Sequence, residues 1–129
     1  MHNTPAGKGR QRVRDALSHR ESPIPFDLGS TGVTGAHATI VEGLRQHFGL
    51  EKRPVKVHEP YQMLGMVEED LRTALGVDTT GVIARTTLFG FPVEGWKEWR
   101  TPWGQEVLVP DGFRTTTADN GDLLIYPEG

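Results

Sequence analysis

The sequence predicts an α/β fold that gives way to an antiparallel β meander, on three observations. Apolar residues recur at helical spacing in three stretches before residue 88, and short alternating runs stand between them. Beyond Arg85, glycine and proline punctuate the chain until an Asn-Gly pair marks a hairpin.

Val13, Ala16 and Leu17 share one face at i, i+3, i+4, so residues 10–18 read as a short amphipathic helix with Arg10, Arg12 and Arg14 turned elsewhere. Pro23 and Pro25 forbid helix, and Ile24, Phe26 and Leu28 alternate as a short strand whose start is not fully laddered. The glycine- and hydroxyl-rich stretch 28–37 leads into a second helix carrying Ile40, Val41, Leu44 and Phe48, with Thr34 as its N-cap and Gly49 at its left-handed C-terminal cap. Val55 and Val57 alternate in a short exposed strand or extended linker over 53–58. Pro60 suits a first helical position, and Leu64, Val67, Leu71 and Leu75 repeat at helical spacing until Gly76. Gly65 within that run costs about 1 kcal/mol relative to alanine, so the helix starts after it or bends there. Residues 77–84, centred on Val82 and Ile83, read as a second buried strand. In the meander, Val107 and Val109 alternate around Leu108. Asn120-Gly121 suits the positive φ values of a two-residue type I′ turn joining 114–118 to 123–126.

Composition narrows the function classes. In 129 residues, 14 Lys+Arg stand against 17 Asp+Glu, a net charge of -3 without a polybasic block, which excludes nucleic acid and an anionic membrane surface as partners. The basic residues Lys8, Arg10, Arg12 and Arg14 are diluted by Asp15 and Glu21 and read as a solvated helix face. The absence of cysteine rules out a disulfide scaffold, cysteine-ligated zinc and a cysteine nucleophile. The amino end lacks the apolar run of a secretory signal and no stretch approaches a membrane span, so a cytoplasmic address is expected.

The candidate site is the turn between the first strand and the second helix. Small residues there leave backbone N–H groups free to approach an anion at a helix N-terminus, although the spacing G-x-x-G-x-x-G is neither a dinucleotide fingerprint nor a phosphate loop. The substrate-binding candidates are Asp27, Gly29, Ser30, Thr31, Gly32 and His37. Asp27 is placed to orient a substrate or to accept hydrogen bonds from the turn itself. His37 is placed to bind a carboxylate or phosphate, to transfer a proton, or simply to cap the helix. Position 41 is Val41, so His37 has no i+4 metal partner, and His2, His19, His47 and His58 read as surface residues. Glu68, Glu69 and Asp70 read as a solvated acidic face, and Trp96, Trp99 and Trp103 as anchors of the meander or a stacking platform.

Several segments resemble the amino-terminal part of the uroporphyrinogen decarboxylase superfamily, closest to its cobalamin-dependent methyltransferase-like branch. They are RQRVRDAL at 10–17, IPFDLG at 24–29, GAHA at 35–38, VKVHEPYQML at 55–64, EDL at 69–71 and LGVD at 75–78, with WG at 103–104 and the late hairpin resembling an insertion after the second barrel strand. The resemblance implies the amino-terminal portion of a (β/α)8 TIM barrel, an incomplete barrel. Residues 1–88 would hold the leading helix and first β/α units, and 89–129 the antiparallel β insertion. Complete barrels need about 250 residues, so a truncated product, a split-gene subunit or a fragment is expected, with no turnover alone. The parent activity is decarboxylation or methyl transfer. The turn 29–35 lacks the arginine of true decarboxylases, and Ala84-Arg85-Thr86-Thr87 replaces their essential aspartate setting, which favours the methyltransferase branch. No cofactor is expected within the chain. The resemblance implies zinc on later strands and a corrinoid protein partner, with a small-molecule substrate once the site is completed. The alternative is a non-catalytic assembly subunit that docks on a partner chain carrying the rest of the barrel.

Overall fold

The computed structural model describes residues 7–127; His2 therefore lies outside the described residues. In chain order the elements are α1 (Lys8–Leu17), β1 (Ala36–His37), α2 (Ala38–His47), β2 (Val55–Glu59), β3 (Leu64–Gly65), α3 (Glu69–Leu75), β4 (Lys97–Arg100), β5 (Glu106–Val109), β6 (Thr115–Thr117) and β7 (Leu123–Ile125). One mixed sheet of five strands runs β1-β3-β2-β5-β4, and β6 and β7 form a second, two-stranded sheet.

This is not an incomplete (β/α)8 barrel. A barrel of that type repeats parallel neighbours joined through helices, whereas among the described residues only β2 and β5 pair in parallel and the β1–β3, β3–β2 and β5–β4 pairs are antiparallel. The fold is mixed α/β and mostly sheet. Both segments expected as barrel strands stay outside the ladders. Residues 26–28 and 78–79 do lie side by side, through the Asp78 N–H to the Phe26 carbonyl at 2.8 Å, but the reciprocal Phe26 N–H goes to the Asp78 carboxylate at 3.0 Å. Side chains that capture backbone donors compete with strand pairing. Pro23 and Pro25 remove further donors, and Val82, the intended centre of a buried strand, is 98% exposed.

The central strand is β2, which the sequence marks only as an exposed strand or linker. Val55 and Val57 point into the core beside Val107 and Val109 of β5, with Val55 and Val107 directly paired. Ala38 and Val41 of α2 and Leu71 of α3 join the same core. The helix expected from Pro60 is split in two: Leu64–Gly65 is strand, and helix begins at Glu69. A Cβ at Gly65 would lie 2.6 Å from Val55 Cγ1 and 2.9 Å from Val41 Cγ2, so this glycine is where strand and helix close over one another.

Acidic residues read as a solvated face instead fasten α3. Asp70 and Glu68 are bound by Arg45, Arg53 and Lys56, while Glu69 pairs with Arg72. The tryptophans form no platform. Trp99 packs edge-on against Phe113, Trp96 lies beneath the Lys56 ammonium, and Trp103 faces His37. Helix α1 leaves Leu17 77% exposed and is held instead by Arg12, which contacts the fully buried Asp78 carboxylate at 3.3 Å.

The Asn-Gly hairpin forms with a different loop. Thr117 pairs with Leu123, the Ala118 N–H reaches the Asp122 carbonyl, and the Gly121 N–H closes a turn onto the Ala118 carbonyl. Gly121 alone of the loop takes a positive φ, +89°. The loop is therefore residues 119–121, with Gly121 in the left-handed position of a three-residue hairpin, instead of type I′ geometry, which needs positive φ at both central residues.

Candidate functional site

The turn after Leu28 folds on its own hydroxyls. The Gly29 N–H donates to the Thr34 carbonyl at 2.8 Å, the Thr31 N–H to Thr34 Oγ1 at 3.1 Å and the Val33 N–H to Thr31 Oγ1 at 3.2 Å. Gly29 has φ +83°, and any Cβ there would sit 2.6 Å from Val67 Cγ2, so the turn requires glycine at this position. Four of the N–H groups expected to cradle an anion, those of Gly29, Thr31, Val33 and Thr34, are engaged within the turn. Nor does the turn form the N-terminus of α2, since Ala38 donates to the Met63 carbonyl and the Thr39 N–H reaches His37 Nδ1.

Asp27 lies behind this turn. Thr79 Oγ1 donates to its carboxylate, and Ser30 Oγ stands 2.8 Å from Thr79 Oγ1. Thr79 has one hydroxyl proton and gives it to Asp27, so Ser30 must donate to Thr79, which makes a relay Ser30 to Thr79 to Asp27. Desolvation pushes the Asp27 carboxyl up, but the Ser30 hydroxyl, acting through Thr79, together with the Thr79 and Thr34 hydroxyls and the Ser30 amide, outweighs it and holds the group below its ordinary value. Gly81 completes the seam, because a Cβ there would lie 1.9 Å from the Ser30 carbonyl oxygen.

Joined in this way, the turn and the segment after Gly81 face each other across an open cleft of about 500 Å³. Gly29, Ser30, Thr31 and Gly32 line one side, residues from Val82 to Leu88 the other, and His58 and Glu59 of β2 the end. The far wall is tied to the core where the Thr87 carbonyl accepts from the Gly90 N–H and the Thr87 N–H donates to the carbonyl of Phe91, whose ring is fully buried. Arg85 is exposed and is not part of the lining.

Four candidate residues thus meet at the cleft, Asp27 supports them from behind, and His37 lies elsewhere. His37 caps α2 and also bonds Thr39 Oγ1 at 2.9 Å, with its ring centroid 5.1 Å from that of Trp103. Sequence reasoning missed His58, Thr79 and Gly81. A histidine directly after the Val55, Val57 alternation was the available signal for the first, since it places an imidazole on a strand. Among the described residues no group of three or more His, Asp or Glu side chains is arranged to hold a metal ion. Among the same residues no helix is long and apolar enough to cross a membrane.

Comparison with family models, curated proteins and solved structures finds no match to this chain.

Proposed function

We propose that the chain is a cytoplasmic, non-catalytic portion of a uroporphyrinogen-decarboxylase-like protein of the corrinoid-linked methyltransferase type, and that its own contribution is to bind a small molecule in the cleft. The observation that carries the binding role is the cleft itself: its volume of about 500 Å³ falls within the range of small-molecule sites, and its walls combine apolar side chains with a few polar groups. The order and spacing of the segments from 10–17 to 75–78 support the family assignment. The turn 29–35 carries no arginine, which supports the methyltransferase branch over porphyrinogen decarboxylation, and a corrinoid protein is the partner this reading entails.

This reading expects no turnover from the isolated chain, and Ser30 is not poised to supply any. Its proton is committed to Thr79, and no imidazole is hydrogen-bonded to it among the described residues, so it is not an activated nucleophile. The purified chain is expected to form no coproporphyrinogen and to transfer no methyl group from methylcobalamin to a thiol; turnover in either assay refutes inactivity. Titration with benzyl alcohol, benzylamine and benzoate, followed by amide NMR shifts, tests the binding role. At least one of the three should move the amides of 29–32 and 82–88 together, and silence from all three removes the cleft as a site.

A second reading is favoured by the apolar rim. Val33, Val82 and Leu88 are 96%, 98% and 80% exposed, a concentration that suits burial against another chain. On that reading the chain is an assembly subunit. Co-expression with the neighbouring open reading frame should then yield a stable one-to-one complex that Val82→Asp disrupts.

A further inference from the structure

The ladder between β2 and β3 contains an irregularity at one residue. Val57 pairs with Gly65 and Glu59 with Leu64, so β2 advances two residues while β3 advances one, and His58 is the extra residue of a bulge. Bulges re-aim side chains, and they recur beside active sites. His58 is buried to more than nine-tenths yet lines the cleft. No described residue hydrogen-bonds its ring, and the cleft is the open space that His58 lines. Burial lowers its pKa against the opposing pull of Glu59, which keeps the ring neutral at pH 7 with one nitrogen free to accept.

The charges around it restrict what it can accept from. Glu59 is the acidic residue of the lining, and Asp27 places a second carboxylate behind Ser30. Glu59 receives the Tyr61 and Gln62 N–H groups at 3.0 and 2.7 Å, which holds its carboxylate in place. An anionic ligand would meet these carboxylates and find the N–H groups of Gly29, Thr31, Val33 and Thr34 already engaged.

We infer that His58 accepts a hydrogen bond from the hydroxyl or amino head of an uncharged or cationic ligand whose apolar body lies along Val82, Ile83 and Leu88. The inference rests on the cleft being a small-molecule site and names the class of molecule it takes. It also replaces the expectation that this loop receives a carboxylate.

The same three probes test it at pH 7.5. Benzyl alcohol and benzylamine should bind more tightly than benzoate, by about fivefold or more, the ratio equivalent to one net hydrogen bond. When benzyl alcohol saturates the cleft amides, the nitrogen resonances of the His58 ring should shift in the unmodified protein, a readout that needs no variant. His58→Phe should weaken benzyl alcohol binding by about fivefold and leave benzoate disfavoured by the two carboxylates, and His58→Gln should restore part of the alcohol's affinity. Benzoate binding as tightly as the alcohol, or a His58 ring that stays silent while the cleft amides move, overturns the inference and leaves the cleft standing. Failure of all three probes to bind removes the cleft and this inference together.

Discussion

Arg45 of α2 grips Asp70 of α3 through both terminal guanidinium nitrogens, each 2.9 Å from its own carboxylate oxygen. The Arg45 side chain is 6% exposed against 33% for Asp70, so the pair is buried chiefly on the cationic side. Arg53 adds a third contact to Asp70 at 3.0 Å, and the Arg45 Nη2 also donates to the Glu51 carbonyl. Asp70→Ala would strand a buried guanidinium. It should lower stability by about 3 kcal/mol, the lower end for a broken buried pair because Asp70 keeps some solvent. Urea unfolding at pH 7 checks this, and a loss under about 1 kcal/mol would mean that the pair behaves as a surface ion pair.

Gly81→Ala should loosen the cleft. Its methyl group would overlap the Ser30 carbonyl, which is backbone and has no rotamer to escape by. Overpacking of this kind costs about 1–3 kcal/mol. Faster hydrogen exchange at the Gly29 and Asp78 amides is the accompanying sign, and unchanged exchange with unchanged stability would show that the two segments are not pressed together.

The loop of the hairpin predicts an asymmetry between neighbours. Gly121 stands at φ +89° in open space, so Gly121→Ala meets no clash and should cost only the left-handed backbone term, about 1 kcal/mol. Asn120 has no positive φ, and its side chain bonds both the Asp122 N–H and the Asp122 carboxylate. Asn120→Asp should therefore weaken the hairpin through charge repulsion with Asp122. Cross-strand nuclear Overhauser contacts between Thr116 and Leu124 report both effects.

Acid should weaken the fold in two stages. Burial depresses the His58 pKa, so as pH falls below the ordinary 6.5 the unfolded chain takes up a proton that the folded chain refuses, and stability present in full above that pH is lost. Asp70, lowered by the Arg45 hydrogen bond, and Asp27, lowered by its hydroxyl partners against desolvation, act further down. Their contributions are present above 3.8 and are lost as pH falls toward their folded values. Urea midpoints measured from pH 8 to 3 should show both declines, and His58→Gln should remove the first alone.

What the sequence made legible is local. Helix α2 was marked by Val41 and Leu44 at helical spacing, and the late hairpin by Asn120-Gly121, because both depend on residues close in the chain. Even there the cap is His37 and not Thr34, and the loop has three residues. The barrel expectation failed where side chains overrode periodicity: Asp78 takes the Phe26 N–H that a ladder would have used. The burial of β2 was illegible because its parallel partner β5 lies in the other half of the chain. For the site, glycine and hydroxyl content pointed to 29–32, whereas His58 became visible only with the bulge that carries it.

The parallel pairing of Val55 with Val107 has a consequence for how the chain comes to be folded. Residues 56–106, about two-fifths of the chain, must be synthesised between the two partners, and closing so long a loop is entropically costly before any contact rewards it. While the ribosome works through that interval, β2 has β3 on one side and nothing on the other, so an apolar edge rich in valine waits for its neighbour. Slowed translation after residue 59 should lengthen that wait and divert nascent chains into aggregates, an outcome that co-translational binding of a chaperone to this edge would prevent.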